Sequence, residues 1–340
     1  MTAPIRVLIV DDSAFARKVL RQILSASPGL DVVGTARDGL EALEKIAELK
    51  PDVITLDLVM PNLDGLGVLD GLPEQDAPRV IVVSVSDADT ELGAAALQAG
   101  AIDIVRKPTA LATQQLYELE HELVRKVRLA AEARSRRASK SEPLAAHLSA
   151  VRRHDVIVLG TSTGGPQAIT RLLTALPGDL PVPLLIALHI PAGYTEALAV
   201  RLDTLSALAV REAEPGIVPR AGLVVLARGG SHLRLCAVED RIEVALDHRL
   251  GSAQHAPSVD LLFESAVALY GARTLGVVLT GMGDDGLIGA RAIREAGGSV
   301  LTESERSCVV YGMPRCVKEA GYSSGEATIE MMADEIVRRL

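Results

Sequence analysis

The sequence predicts an α/β protein of two domains, each built on a parallel β-sheet covered by helices. Short β-branched runs alternate with amphipathic segments whose apolar residues recur every three or four positions, and parallel strands need such helical crossovers. The alternation gives way to a basic stretch after residue 116 and starts again near residue 155. A chain of 340 residues is long enough for about two domains, each with its own core.

Five strand–helix units form the first domain, which we place at residues 1–125. Helical spacing between the strands is clearest in Ala16–Leu24, where apolar residues follow each other at intervals of three and four. The predicted strands are Ile5–Val10, Asp31–Ala36, Val53–Leu56, Val80–Ser84 and Ile102–Val105. Right-handed crossovers between them predict a five-stranded parallel sheet with helices on both faces.

Residues 126–154 are predicted to be a linker. Between residues 117 and 154 the chain has nine basic residues and five glutamates, and Ala133–Pro143 is small, polar and basic. Both flanking regions are acidic, with ten basic and 17 acidic residues in 1–116 and 16 basic and 22 acidic residues in 155–340. A basic linker alone does not make a nucleic-acid binding surface, and we expect no nucleic-acid partner.

The second domain, residues 155–340, is predicted to be another doubly wound α/β sheet. Its predicted elements are strand Val156–Leu159, helix Pro166–Leu176, strand Leu184–Leu188, helix Ser258–Tyr270, strand Leu275–Leu279 and helix Leu287–Ala296. Its loops differ in chemistry from those of the first domain, so we expect the two domains to have different functions.

Composition excludes several classes of protein. The net charge of −9, two Phe, five Tyr and no Trp leave little means of binding phosphate backbones or stacking bases. The longest apolar runs are of strand length, so we expect no membrane insertion. Cys236, Cys308 and Cys316 are too scattered for a disulfide framework or a zinc site. Asp11 and Asp12 interrupt the first apolar segment, so we predict no signal peptide and a cytoplasmic location.

Acidic residues gather at the predicted strand ends of the first domain. Asp11 and Asp12 follow the first strand and Asp57 follows the third, while Ser84 ends the fourth and Lys107 follows the fifth. Carboxyl ends of parallel strands are where open α/β folds bind ligands, and three converging carboxylates require a hard cation such as Mg²⁺. Together with a hydroxyl and an ammonium group, this set favours phosphoryl transfer to a carboxylate.

This region resembles the flavodoxin-like receiver domain of two-component response regulators, through VDDS at 10–13, DLVMPNLDG at 57–65, and KP at 107–108. The resemblance implies that a phosphohistidine kinase phosphorylates Asp57. It also implies that Mg²⁺ is held by Asp12, Asp57 and the carbonyl of Val59, with Asp11 acting through water.

The same resemblance makes Lys107 the phosphate-binding residue and Ser84 the switch hydroxyl. One position departs from the family pattern. Receivers usually carry an aromatic residue three positions before the lysine, where this chain has Ile104. An aromatic switch therefore cannot transmit the signal in this chain.

A strand–turn–helix signature opens the second domain. Gly160–Gly165 reads GTSTGG, and its G-x-S-x-G spacing predicts a sharp turn that presents the hydroxyl of Ser162 at a strand tip. A helix N-terminus behind the turn stabilises developing negative charge. The pattern alone is weak, because glycine-rich turns also bind phosphates.

A nucleophilic serine needs a base and an orienting acid. His189 follows a predicted strand, and Asp284 and Asp285 follow the strand Leu275–Leu279, so both can converge on Ser162. In isolation each of them would more simply be a surface or helix-capping residue. His255 is a second candidate for the base, a residue of the substrate cleft, or a plain loop residue.

Residues 155–340 resemble the chemotaxis protein-glutamate methylesterases, which are also protein-glutamine glutaminases. The matching blocks are GTSTGGP (160–166), HIPAGYT (189–195), APSVDLLF (256–263), LTGMGDDG (279–286) and CVVYGMP (308–314). The resemblance implies that Ser162 is the nucleophile, His189 the base and Asp285 its orienting acid, with the backbone N–H of Met282 in the oxyanion hole. Ala256 and Arg228 stand where members often have Arg and Pro.

The expected function is therefore phosphorylation-activated hydrolysis of glutamate methyl esters, and deamidation of specific glutamines, on methylated chemoreceptors. Mg²⁺ is expected to serve the receiver domain only, and the esterase reaction is expected to need no cofactor. Two alternatives remain open from sequence. One is a receiver-gated serine esterase that acts on another methylated signalling protein, and the other is a non-enzymatic regulator whose second domain binds a partner.

Overall fold

The computed structural model of the chain contains two compact units, Met1–Arg137 and Ala138–Leu340, each with its own sheet and core. The structure describes residues 3–73, 76–84, 90–107, 113–134, 154–248 and 255–340. Pro108 of the predicted KP motif, and residues 135–153 of the predicted linker, lie outside these ranges.

The first unit is an alternation of strands and helices. Its strands are β1 (Ile5–Val10), β2 (Leu30–Ala36), β3 (Val53–Leu56), β4 (Arg79–Ser84) and β5 (Asp103–Arg106). Its helices are α1 (Ala14–Ala26), α2 (Gly39–Leu49), α3 (Gly65–Asp70), α4 (Thr90–Gln98) and α5 (Thr113–Arg134). The strands are parallel and lie in the order β2-β1-β3-β4-β5, which confirms the predicted five-stranded parallel fold.

The strand order creates a crevice at one edge of this sheet. From β1 the chain crosses to β2 on one side and later returns to β3 on the other, and such switch points are where open α/β sheets bind ligands. Val10 pairs with Leu56 across β1 and β3, and the N–H of Asp57 donates to Val10 O at 2.9 Å. Asp11 and Asp57 therefore emerge side by side.

Helix α5 continues past the predicted domain end at residue 125. Val127 and Ala130 are buried, and the Nζ of Lys126 donates to Asp103 Oδ1 at 2.8 Å and to Ile104 O at 2.7 Å. The helix face directed at β5 thus extends beyond residue 125. The sequence did not reveal this buried face, because lysine is almost always exposed and a lysine buried against an aspartate cannot be distinguished from a surface lysine by sequence.

The second unit has nine described strands and six described helices. The strands are β6 (Val156–Thr161), β7 (Leu184–Leu188), β8 (Ala209–Glu212), β9 (Leu223–Leu226), β10 (His232–Val238), β11 (Arg241–Asp247), β12 (Thr274–Val278), β13 (Ser299–Glu303) and β14 (Gly325–Ala327). The helices are α6 (Gly165–Ala175), α7 (Tyr194–Leu205), α8 (Val259–Tyr270), α9 (Leu287–Glu295), α10 (Met313–Glu319) and α11 (Ile329–Arg339).

Seven of these strands form one parallel sheet in the order β14-β13-β12-β6-β7-β9-β8, as predicted for a second α/β domain. The other two, β10 and β11, form an antiparallel hairpin. Its apolar residues Leu233, Leu235 and Val244 share a buried cluster with Phe263 of α8. The hairpin therefore packs against α8.

Strand β6 occupies the switch point of the second sheet, with β12 on one side and β7 on the other. It is longer than predicted, because Gly160 and Thr161 still pair with Ala187 and Leu188 of β7. The carboxyl ends of β6, β7, β12 and β13 therefore meet at one edge, which is where the candidate catalytic residues lie.

Within the described ranges, no helix is long and apolar enough to cross a lipid bilayer. The three cysteines, Cys236, Cys308 and Cys316, are all free thiols.

Candidate functional sites

Three carboxylates meet at the crevice of the first sheet. Ligand oxygens of Asp11, Asp12 and Asp57 all lie within 4.8 Å of one another, with Asp11 and Asp57 buried and Asp12 exposed. The N–H of Ser13 fixes Asp11 through a 2.9 Å hydrogen bond to Oδ1. Oxygen ligands at this density suit a hard divalent cation, which offsets their mutual repulsion.

Lys107 joins the two buried carboxylates. Its Nζ lies 2.6 Å from Asp11 Oδ2 and 2.7 Å from Asp57 Oδ2. Burial raises the pKa of the Asp57 carboxyl above its ordinary value; the charge of Asp11 acts in the same direction, while Lys107 and the N–H of Val59 oppose it. An additional cation at this edge would favour the ionised Asp57 that phosphoryl transfer requires.

The remaining predicted receiver residues lie on β4, on β5 and in the segment that follows β3. Ser84 ends β4, beside β3, and is fully buried. Val59 directs its N–H at Asp57 and exposes its side chain. Ile104 is fully buried in β5. Whether the signal passes without an aromatic residue at this position stays a prediction.

The turn after β6 carries Ser162. The N–H of Ser162 donates to Thr280 O at 3.0 Å, and Thr161 Oγ1 donates to the same carbonyl at 2.6 Å. Gly164 has φ of +80°, which favours glycine, and a Cβ on Gly165 would lie 2.6 Å from the side chain of Leu188. The two glycines thus permit the tight turn that leads from Ser162 into α6.

His189 follows β7 directly beside the serine turn. Its N–H donates to Thr161 O at 3.1 Å, and its Nε2 lies 2.8 Å from Asp285 Oδ2. An ionised carboxylate only accepts, so Nε2 carries the ring proton and Nδ1 is the basic nitrogen. Nδ1 is buried and has no hydrogen-bond partner among the described residues. Imidazole is thereby oriented with a vacant acceptor, as a general base requires.

Asp285 accepts hydrogen bonds from four donors. It accepts from His189, from the backbone N–H groups of Val259 and Asp260 at 2.8 and 2.9 Å, and from Ser258 Oγ at 3.1 Å. Burial favours the neutral acid, but the hydrogen bond and charge of His189 and the two N–H groups outweigh it, so the pKa of Asp285 lies below its ordinary value. Its neighbour Asp284 is exposed.

The segment that contains Met282 is fixed against the serine. A Cβ on Gly281 would lie 2.9 Å from both Cβ and N of Ser162, so only glycine permits this approach. The N–H groups of Gly312 and Met313 donate to Gly281 O at 3.1 and 2.9 Å. The chain next to the nucleophile is therefore rigid, which suits the predicted oxyanion role of the Met282 N–H.

His255 and Arg228, both singled out in the sequence, have specific contacts. The ring of His255 lies against that of His189, with centroids 4.4 Å apart and planes tilted by 32°. Arg228 forms an ion pair with Glu212 at 2.9 Å. His255 therefore lies beside the candidate base, where a residue of the substrate cleft is expected.

Two further acids were not singled out from the sequence. Asp260 accepts from Gly286 N at 2.9 Å and Gly289 N at 2.7 Å, and Glu303 accepts from Thr280 N at 2.8 Å. Asp260 lies within the APSVDLLF block, and Glu303 ends a largely buried strand at the carboxyl edge. An acid at the end of a buried strand is the signal that could have identified Glu303.

Comparison with known proteins gives matches for both units. The sequence profile of CheB methylesterase matches residues 157–336, and that of the response regulator receiver domain matches residues 7–118. The chain is 60% identical over 337 residues to "protein-glutamate methylesterase/protein-glutamine glutaminase 5" of Myxococcus xanthus, covering 98% of this chain and 97% of the relative. It is 43% identical over 355 residues to a Symbiobacterium thermophilum protein-glutamate methylesterase/protein-glutamine glutaminase, covering 98% and 97%.

Among solved structures, the catalytic domain of Thermotoga maritima CheB methylesterase is similar to the second unit. The TM-score is 0.54 and the sequence identity 36%, and the match covers 55% of this chain and 99% of that domain.

Proposed function

This chain belongs to the CheB methylesterase family, with a receiver domain ahead of the methylesterase domain, and we propose that it hydrolyses glutamate methyl esters on methyl-accepting chemoreceptors. The names of its relatives also support deamidation of selected receptor glutamines, which uses the same acyl chemistry. Family membership does not favour a non-enzymatic output domain. The three free thiols agree with action in a reducing cytoplasm.

In the proposed acylation, Ser162 Oγ attacks the ester carbonyl while Nδ1 of His189 takes the hydroxyl proton. Asp285 accepts the Nε2–H of His189 at 2.8 Å and stabilises the imidazolium that forms. The N–H of Met282 donates to the oxyanion of the tetrahedral intermediate. His189 then gives its proton to the departing methoxide, so methanol leaves and the glutamyl group remains on Ser162.

Deacylation repeats these steps with water. His189 removes a proton from water as its oxygen attacks the glutamyl-enzyme carbonyl, and the second tetrahedral intermediate collapses to expel Ser162. The proton on His189 returns to Ser162 Oγ, which frees a receptor glutamate. With a glutamine substrate, ammonia leaves in place of methanol and the rest of the cycle is the same.

The orientation of His189 is the observation that carries this proposal. Its Nε2 is bound to Asp285, and its buried Nδ1, next to the turn that presents Ser162, has no hydrogen-bond partner among the described residues, Ser162 included. A histidine placed only for packing would more often have both nitrogens hydrogen-bonded or solvated. Methanol release from methylated receptor membranes, measured with and without a phosphodonor, tests the activity and its activation together.

Replacement of the nucleophile gives the sharper test. Ser162→Ala is expected to reduce methanol release on the order of 10⁶-fold, as for other triad nucleophiles. Phosphorylation of Asp57 should be unaffected, because the two sites lie in separate compact units. Ser299→Ala, in β13 of the same unit, is the matched control and should keep its activity. Near-normal methanol release from the Ser162 variant would contradict the assignment.

For the receiver domain we propose that a phosphohistidine kinase phosphorylates Asp57 and that Mg²⁺ is the bound cation. The three carboxylates fit such an ion, since their oxygens lie within 4.8 Å of one another and one of them is exposed for entry. Bound there, Mg²⁺ would neutralise charge on the transferring phosphoryl group. Asp12, Asp57 and the carbonyl of Val59 would hold it, with Asp11 acting through water.

Lys107 and Ser84 complete the proposed phosphorylation site. Lys107 Nζ lies 2.7 Å from Asp57 Oδ2, so after phosphorylation its ammonium can bind a phosphoryl oxygen on Asp57. Ser84 ends the neighbouring strand and supplies a hydroxyl donor to another oxygen. A charge and a hydroxyl fixed on adjacent strands can respond to the phosphoryl group without an aromatic residue at position 104.

A further inference from the structure

Glu303 is a buried acid that the proposed mechanism does not use. It ends β13 and has a relative exposure of 1%. One carboxylate oxygen accepts from Thr280 N at 2.8 Å and the other from Ser307 Oγ at 2.8 Å. Burial of a carboxylate is costly unless donors compensate it, so this position needs a reason beyond packing.

Thr280 connects Glu303 to the nucleophile. Its carbonyl accepts from Ser162 N at 3.0 Å and Thr161 Oγ1 at 2.6 Å, and its own Oγ1 donates to Thr163 O at 3.0 Å. That hydroxyl also accepts from Val310 N at 2.9 Å. One residue thus contacts three consecutive residues of the serine turn, and Glu303 accepts from the backbone N–H of that same residue.

We propose that Glu303 is a positioning residue for the esterase reaction, which sets the place of Ser162 and of the adjoining oxyanion segment through the peptide of Thr280. The proposal rests on the proposed function. Thr280 leads directly into Gly281 and Met282, so a shift of its peptide displaces the Met282 N–H and the Ser162 turn together. Misplacement of reacting groups by about 1 Å costs roughly 10²-fold in rate.

The charge of Glu303 gives this role a measurable signature. Burial raises its pKa to about 7, while Thr280 N–H, Ser307 and Cys308 oppose the shift and the charge of Glu330 on α11 adds to it. Arg171 of α6 pairs with Glu330 at 3.6 Å and lines the same small cavity as Glu303. The ionised carboxylate makes the stronger hydrogen bonds, because charge-assisted bonds are roughly twice as strong as neutral ones.

Two variants separate positioning from folding. Glu303→Gln keeps an acceptor for Thr280 N–H and removes the charge, whereas Glu303→Ala removes the acceptor. In the full-length phosphorylated protein, we expect Glu303→Ala to lower kcat for methanol release by about 10- to 100-fold with little change in KM. Glu303→Gln should keep most of the wild-type kcat. Its rate should match the wild-type rate below pH 6 and fall behind it above pH 8.

Rates are normalised to the number of serines labelled to completion by a fluorophosphonate, so that unfolded protein does not count. Glu295→Ala and Glu295→Gln are matched controls, because Glu295 is exposed on α9 and pairs with Arg291 one turn earlier. If Glu303→Ala fails to fold, Glu303→Asp replaces it, since the shorter side chain withdraws a charged acceptor from Thr280 and should lower kcat in the same way.

Equal kcat for wild type and Glu303→Ala per labelled serine, or equal losses in the Ala and Gln variants, would overturn the positioning role. Absence of both labelling and methanol release in the wild type would instead overturn the proposed function. A lower unfolding temperature with unchanged kcat would also count against the proposal, because it indicates a structural role only.

Discussion

At the scale of single residues, two adjacent aspartates have different environments. Asp285 accepts four hydrogen bonds, including one from His189, and Asp284 is exposed. In Asp285→Asn an amide NH₂ replaces one acceptor oxygen, and both oxygens of Asp285 face donors. Either amide orientation therefore opposes donor to donor: an NH₂ at Oδ2 faces His189 Nε2–H and disfavours its tautomer, and an NH₂ at Oδ1 faces Asp260 N–H and displaces the side chain.

We predict that Asp285→Asn lowers kcat by about 10⁴-fold, whereas Asp284→Asn lowers it little. Methanol release per folded molecule, with folding monitored by thermal unfolding, measures both. The Asp284 variant is the matched control because it makes the same chemical change one position earlier. The reverse order of the two effects would show that Asp284 is the orienting acid.

Sequence reasoning reached the candidate catalytic residues because chemistry concentrates at strand ends. Ser162, His189 and Asp285 each follow a buried apolar strand, and the parallel sheet brings those ends to one edge. It could not predict which nitrogen of His189 meets Asp285, since that depends on ring orientation in three dimensions. The sequence marks Glu303 only as an acid at the end of a buried strand, and it could not predict that this acid accepts from the backbone N–H of Thr280.

At the scale of elements, helices α8 and α9 are joined by a reciprocal pair of carboxylates. Asp285, just before α9, accepts from the first backbone N–H groups of α8, at Val259 and Asp260. Asp260, in α8, accepts from Gly286 N and Gly289 N at the start of α9. Each helix N-terminus thereby receives a negative charge, which its dipole favours.

We predict that Asp260→Ala destabilises the second unit by about 1–2 kcal/mol, the usual cost of a lost helix cap, and lowers esterase activity by displacing Asp285. Asp260→Asn should retain more of both, because the two bonds go to a single oxygen that the amide can supply. Urea unfolding and methanol release measure the two effects. Equal stability of the Ala variant and wild type would contradict the capping role.

The same residue predicts a pH dependence of stability. Burial raises the pKa of Asp260 from 3.8 to about 6, and the nearby charge of Asp285 adds to the shift. The folded protein therefore binds this proton more tightly than the unfolded chain does, so the contribution of Asp260 to stability falls as pH rises from about 4 to about 6. In Asp260→Asn this part of the dependence should vanish. An unchanged slope of unfolding free energy against pH would refute the assignment.

The sequence predicted the buried strands and helices better than the half-exposed ones. Strands β3 and β7, and β1 from Val7 onward, are buried and consist mainly of apolar residues, and the predicted bounds of all three agree with the structure. The hairpin β10–β11 was not predicted, because it is half-exposed and its strands alternate charged and apolar residues without a turn signal. The part of α5 beyond residue 125 was not predicted, because the buried ion pair of Lys126 with Asp103 cannot be distinguished from surface charges in a sequence.

At the scale of the whole molecule, the chain links a phosphoryl-accepting unit to a hydrolytic one. Each has its own sheet with its reactive residues at the carboxyl edge. Along the chain, the predicted linker 126–154 joins the residues that form the two sheets. Control of one unit by the other therefore requires either recruitment of the receptor by the receiver domain or coverage of the Ser162 cleft by it.

We predict that the receiver domain suppresses the esterase until Asp57 is phosphorylated. A phosphoryl group adds about −1.5 to −2 charges beside Asp57, enough to repack nearby loops and weaken an interface of modest size. A tenfold shift between closed and open forms requires only about 1.4 kcal/mol. A fragment that begins near Glu142 should therefore release methanol from receptors faster than the unphosphorylated full-length protein does.

Asp57→Asn in the intact chain tests whether phosphorylation relieves the suppression of the esterase by the receiver domain, which we call the gate. The variant lacks the phosphoryl acceptor, so it should keep the slow basal rate of methanol release and lose its response to a phosphodonor. Asp64→Asn is the matched control, since Asp64 caps α3 of the same unit outside the acidic pocket and should leave the response intact. Because coverage lowers the intrinsic rate and recruitment does not, equal basal rates for the fragment and the intact protein would exclude the gate and favour recruitment.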